Sequence, residues 1–165
     1  EPFDAFWNIF CANGFARFGY LLDTDADSLT DYSRASLEHG RDVTGPVYAK
    51  AMGELDQLKY TFEDVFDKYD LLLSPVTSVP AFPVGEKPLQ INGKEVHPWW
   101  GFFPFTYPIN MIGCPAASVP CGFSYEGMPI GLHIVGRRGE EETVLAASAA
   151  FEKAKPWSEY LPKLP

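Results

Sequence analysis

Basic residues are scarce in this chain of 165 residues: 13 Lys and Arg stand against 22 Asp and Glu, for a formal charge of −9. A surface of that sign repels phosphates, and the few cations are scattered. Nucleic-acid binding driven by counterion release is therefore not expected. Cysteine is sparse too. The three thiols, Cys11, Cys114 and Cys121, cannot all pair within one chain and show no Cys-x-x-Cys spacing. Reduced thiols in a cytoplasmic protein are the expected state. Long apolar runs are missing: "FWNIFCANGFARFGYLL" is broken by Asn8, Asn13, Gly14 and Arg17, which suits an amphipathic helix and not a membrane span. The opening "EPFDAF" carries no initiator Met, basic n-region or cleavage site. No signal peptide is expected, and the chain reads as cut from a longer protein.

Metal and cofactor signatures are absent as well. His39, His97 and His133 lie far apart, without His-x-x-x-His or acidic companions at ligand spacing. Asp23, Asp25 and Asp27 lack the downstream Gly and bidentate Glu of a calcium loop, so they read as a polar turn. No Gly-x-Ser-x-Gly elbow, Walker loop or dinucleotide fingerprint occurs, and no cofactor is expected. Cys114 or Cys121 with His133 as base comes nearest to a catalytic pair. Both thiols abut prolines within an apolar strand pattern, where free cysteine is normally buried, and His133 reads as a satisfied histidine on a sheet face.

What is present suffices for a core. A hydrophobic share of 46% and an aromatic share of 15% argue against disorder, and residues 1–165 read as a single domain. A helix is predicted from Pro2 to Leu22. A second should begin at the Ser28-x-x-Asp31 capping box, run to about His39 and stop at Gly40. Thr44-Gly45-Pro46 opens a third, reaching about Lys68, with an apolar stripe of Val47, Ala51, Leu55, Leu58, Phe62, Val65, Phe66 and Tyr69. Leu71 to Leu73 reads as a short buried strand. Thr77 to Pro108 is a long loop rich in proline and aromatics. "PAASVPCGF" carries an internal proline and reads as an edge or bulged strand. A turn at Glu126-Gly127 joins it to an antiparallel partner, "IGLHIVGR". Glu140 to Glu142 open a last helix, ended by "KPW", and the tail from Ser158 should lie on the surface. The fold class is α/β: a small mixed sheet packed with helices and a long Pro/aromatic-rich loop.

Three runs in order carry a family resemblance: "DLLLSPVTSVPAFPVGE", "FTYPINMIGCPAASVPCGF" and "GMPIGLHIVGRRGEEETVLAASAAFEKA". Their shared points are Asn110, Gly113, Pro115, Val119, Pro120, Gly122, Gly127, Pro129, Gly131 and Gly136. This pattern resembles the C-terminal third of amidase-signature enzymes, which include bacterial amidases, fatty-acid amide hydrolases and the glutamine-hydrolysing component of glutamyl-tRNA(Gln) amidotransferase. The resemblance implies amide hydrolysis by a Ser–cis-Ser–Lys triad with a backbone oxyanion hole. In that family the triad lies upstream, in a Gly/Ser-rich segment this sequence does not contain, so no catalytic residue can be assigned and the chain alone should be inactive.

What the resemblance does carry over is pocket lining, because the segment before the asparagine contributes acyl-pocket side chains. Phe103 and Tyr107 are the candidates, with Trp99 and Trp100 behind them; packing the core is the competing role for all four. Phe103 stands seven residues before Asn110, where the amidotransferase has an aspartate that grips glutamine's ammonium group. That departure implies an apolar or aromatic acyl substrate. Arg41 matches only loosely an arginine that binds a substrate carboxylate, and reads as a surface residue. The expected partners are the upstream catalytic part of the same protein, a small amide substrate and a second copy of the chain, which could cover an exposed strand edge. The alternative is a non-catalytic binding or oligomerisation module on the same fold.

Overall fold

The computed structural model describes residues 2–160. The predicted tail beyond Tyr160 lies outside them. The chain divides into two compact units, Glu1–Phe62 and Glu63–Pro165, where the sequence predicts one domain. The division falls inside a helix and so leaves no Gly- or Pro-rich break in the sequence to mark it.

The first unit is helical. Helix α1 (Phe3–Phe18) is followed by a separate short turn of helix, α2 (Leu21–Thr24), so the single helix predicted to Leu22 breaks at Gly19-Tyr20. Helix α3 (Asp31–Asp42) is capped by Thr30, whose side chain accepts from the Ser33 backbone N–H at 3.2 Å. Ser28, the predicted cap, instead sits in a 3₁₀ turn with its hydroxyl on the Asp25 carboxylate at 2.8 Å. The helix also runs through Gly40 instead of stopping there. Gly40 lies where α3 crosses α1: a Cβ at that position would fall 2.1 Å from the Cys11 carbonyl oxygen. Around this crossing His39 Nε2 and Asn8 Oδ1 are 2.9 Å apart, and Trp7 packs on the His39 ring. Helix α4 (Gly45–Phe66) buries Ala51, Leu55 and Phe66 of the predicted stripe, while Val47 and Tyr69 are exposed.

In the second unit, strands β1 (Leu71–Pro75), β4 (Ala116–Phe123) and β5 (Pro129–Gly136) form a sheet ordered β1-β5-β4. Both pairings are antiparallel, so this part of the sheet is not mixed. The proline strand is indeed an edge, and its register slips between Pro120 and Gly122, where Pro120 offers no N–H to the ladder. Strand β1 is the other edge. It is not the buried strand its three leucines suggest, since Leu73 is 63% exposed. Helix α6 (Glu141–Ala154) covers one face, with Val144 meeting Val119 and Ile134 and with Leu71, Ala117, Leu132 and Phe151 around them. Arg137 donates to the Phe66 carbonyl and ties the end of β5 to the end of α4.

The opposite face carries a polar row, since Ser74 and Ser118 both register with His133. His133 is 5% exposed, and its Nδ1 lies 3.3 Å from the Ser74 hydroxyl. Burial lowers the imidazole's pKa below its ordinary value of about 6.5. Below pH 6.5 the unfolded chain therefore binds more protons at this site than the folded one. Stability should be full above that value and fall as the pH drops, until the folded-state pKa is passed. Urea midpoints measured between about pH 5 and 8 should show this slope, and His133→Gln should flatten it.

Candidate functional site

Residues 76–106 contain no helix. Prolines deny the backbone its donors, and the segment folds around side chains instead. One regular element interrupts it, a hairpin of β2 (Gln90–Ile91) and β3 (Lys94–Glu95). Its turn places Asn92 and Gly93 at φ 51° and 74°, an Asn-Gly signal in the sequence that marks this hairpin. The loop ends in helix α5 (Tyr107–Ile112), closed by Gly113 in the left-handed region at φ 72°.

The four predicted lining residues fall into distinct places. Trp100 and Phe103 meet edge to face with ring centroids 6.0 Å apart. Phe103 continues through Phe102 at 4.4 Å to Phe82 at 5.1 Å, so four rings form one connected wall. Trp99 packs near His97 at 5.7 Å and under the Lys87 ammonium, which lies 5.0 Å from its centroid. Tyr107 is 6% exposed in the first turn of α5 and packs as core. Backbone bonds brace the wall: Ser78 N–H donates to the Phe102 carbonyl at 3.1 Å, and Thr106 N–H to the Phe103 carbonyl at 3.1 Å. Phe82 and Phe102 complete this wall, and sequence reasoning misses both. For Phe82 the available signal is its place between prolines, in Pro80-Ala81-Phe82-Pro83.

No titratable group belongs to the ring wall, so it can hold an apolar group but cannot move a proton. The thiols do not supply the missing chemistry. Cys11 is 1% exposed, and burial pushes its thiol up to about 12 despite a hydrogen bond with Ser36. Burial also raises Cys114, partly offset by the Arg138 backbone bond and charge. Cys121 donates to the Ile130 carbonyl at 3.4 Å, and His133 faces Ser74 and not a thiol. Ser74 is no better placed as a nucleophile, because its hydroxyl also donates to the Pro75 carbonyl at 3.0 Å and its histidine is shielded from solvent. Arg41 is a surface residue, 56% exposed and 3.6 Å from Asp42. Among the described residues no group of three or more His, Cys, Asp or Glu could hold a metal, and no helix is long and apolar enough to cross a membrane.

Comparison with known proteins places this geometry. The Amidase family model matches residues 15–145. The A-type component of glutamyl-tRNA(Gln) amidotransferase from Bacillus velezensis is 34% identical over 168 residues, covering 90% of this chain and 33% of that protein. Its counterpart from Geobacillus stearothermophilus is 39% identical over 120 residues, covering 71% of this chain and 23% of its own length. Among solved structures, a bacterial aryl acylamidase of the amidase signature family superposes with a TM-score of 0.83 at 32% identity, over 96% of this chain and 34% of that one. A 6-aminohexanoate cyclic dimer hydrolase in complex with its substrate gives 0.75 at 28% identity, over 94% and 34%. The chain thus spans at most about a third of the length of these relatives. With sequence motifs, family model and fold in agreement, it belongs to the amidase-signature family.

Proposed function

We propose that this chain is the C-terminal part of a cytoplasmic amide hydrolase and forms scaffold and acyl-pocket wall for catalytic residues carried upstream in the parent protein. The supporting observation is the ring wall of Trp100, Phe103, Phe102 and Phe82 in a member of this family. A phenylalanine at position 103 offers no charge to an ammonium group, which favours an apolar or aromatic acyl group over glutamine. Trp99 lies under Lys87, and Tyr107 is buried at the start of α5. Carbon–nitrogen cleavage itself falls to the family's Ser–cis-Ser–Lys triad, so the chain alone is inactive. The upstream part, or a second copy of the chain, covers the outer edges of β1 and β4, which expose unpaired backbone groups.

The test compares this chain with the longer protein that carries it, on aromatic amides and on glutamine. Hydrolysis of aromatic amides confined to the longer protein supports the reading; a preference for glutamine, or activity in the chain alone, overturns it. In the longer protein Phe103→Asp should lower kcat/KM for an aromatic amide by about tenfold to a hundredfold, the effect of losing one aromatic contact to the acyl group. Phe103→Leu should recover most of that loss and so separate pocket chemistry from misfolding.

A further inference from the structure

Beside the ring wall lies an open hollow of about 710 Å³, lined mostly by exposed residues where the proline-rich loop folds over the β4–β5 turn. Its apolar lining includes Pro80, Phe82, Pro83 and Met128, and its charged members are Glu86, Glu126 and Lys87. The volume is that of a site for one small organic molecule. Phe82 stands in both places: it lines this cavity and meets Phe102 of the ring wall edge to face.

The charges decide what would enter. The Lys87 ammonium lies over the Trp99 ring, 5.0 Å from its centroid, and the two carboxylates outnumber it. The lining therefore carries one net negative charge. Glu126 is fixed by the Ser124 hydroxyl, which donates to its Oε2 at 3.1 Å, while Ser124 Oγ accepts from the Glu126 and Met128 backbone N–H groups. A single donor engages that carboxylate, which keeps acceptor sites for a ligand. An apolar body with a positive end matches a cavity of prolines, phenylalanine and methionine bearing two carboxylates. The net charge of −9 draws cations to the same surface.

The geometry points to a site for an apolar primary ammonium ion of the alkyl or arylalkyl class. The assignment of its source rests on the amide-hydrolase reading. Hydrolysis of R–CO–NH–R′ by water yields a carboxylate and R′–NH₃⁺, and the cavity adjoins the wall proposed to hold the acyl side. It would therefore take the released amine, the only form of that half that carries a positive charge.

The experiment uses the longer protein and measures binding of phenethylammonium, of 2-phenylethanol as its neutral match, and of phenylacetate. Wild type should prefer the cation over the alcohol by about fivefold, the scale of two solvent-exposed charge contacts, and should bind phenylacetate most weakly. Glu86→Gln with Glu126→Gln should erase the preference, leaving cation and alcohol equal. Both side chains are exposed, so the fold should tolerate the change. Phe82→Ala should weaken both ligands together. Equal binding of cation and alcohol by wild type overturns the proposal, as does a preference that survives the double substitution. Amide hydrolysis is assayed on the same samples. Hydrolysis without a cation preference overturns the cavity assignment and leaves the hydrolase reading standing. A cation preference without hydrolysis supports the ligand class and overturns the hydrolase reading.

Discussion

Replacing Ile134 with alanine is expected to cost the sheet unit about 3–4 kcal/mol, near the top of what a single apolar truncation does. Ile134 is 1% exposed on the central strand β5, paired with Leu73 on one side and Ala117 on the other. It sits with Val119 and Val144 in the cluster that Leu132, Phe151 and Trp157 close over. Alanine removes three carbons from a place where helix and strands converge, and the backbone ladders on both sides of β5 hold the strand too firmly for the gap to collapse. Urea unfolding followed by tryptophan fluorescence, to which Trp157 on this cluster contributes, and by circular dichroism reads the loss. Leu73→Ala supplies the contrast, because Leu73 registers with Ile134 yet is 63% exposed and should cost well under about 1 kcal/mol in this chain. In the longer protein, a larger loss for Leu73→Ala would show that another segment covers it.

That contrast also explains where the sequence is legible and where it is not. Alternation in "IGLHIVGR", the internal proline of "PAASVPCGF" and the acidic start of α6 each state a local rule, and each element forms with the predicted type and pairing. The run Leu71 to Leu73 states a different rule, that both faces of a strand are covered, and the chain at hand leaves Leu73 in solvent. Such a run is readable as composition, yet what meets it lies in no local pattern. The same holds for the aromatic wall. Phe103 and Trp100 stand close before Asn110, and their nearness is a feature of one stretch of chain. Phe82 joins them from twenty residues upstream because the proline loop doubles back, and no periodicity encodes that return. Trp99 adds a second such return. Adjacent to Trp100 in sequence, it also meets His97 and the Lys87 ammonium, and the lysine comes from twelve residues upstream in the same proline loop.

The sharpest case is Gly40, for which alanine is expected to cost the helical unit about 3 kcal/mol. In sequence a glycine near the end of an apolar period marks a helix stop, and Gly40 follows His39 as a C-terminal glycine would. The structure gives that role to no residue of α3, which ends at Asp42 with Val43 in extended conformation. Gly40 is instead the point of closest approach between two backbones. Its added Cβ would lie 2.1 Å from the Cys11 carbonyl oxygen, 2.6 Å from the Cys11 carbonyl carbon and 2.8 Å from the Phe15 Cβ. None of these is the free end of a flexible side chain, so α1 and α3 must separate. Separation would open the packing around Cys11 and Leu37 and lengthen the contact between His39 and Asn8. Gly53→Ala in α4 calibrates the result, since its Cβ would meet nothing within 4 Å and the change should be neutral or add up to about 1 kcal/mol. The two roles of Gly40 also part company with asparagine. A left-handed helix stop accepts Asn with little loss, whereas a backbone crossing rejects it more strongly than Ala, because the side chain is larger. Urea midpoints for Gly40→Ala, Gly40→Asn and Gly53→Ala should therefore fall in the order Gly53→Ala, Gly40→Ala, Gly40→Asn from most to least stable. A Gly40→Asn variant more stable than Gly40→Ala would return the residue to the role its sequence position suggests.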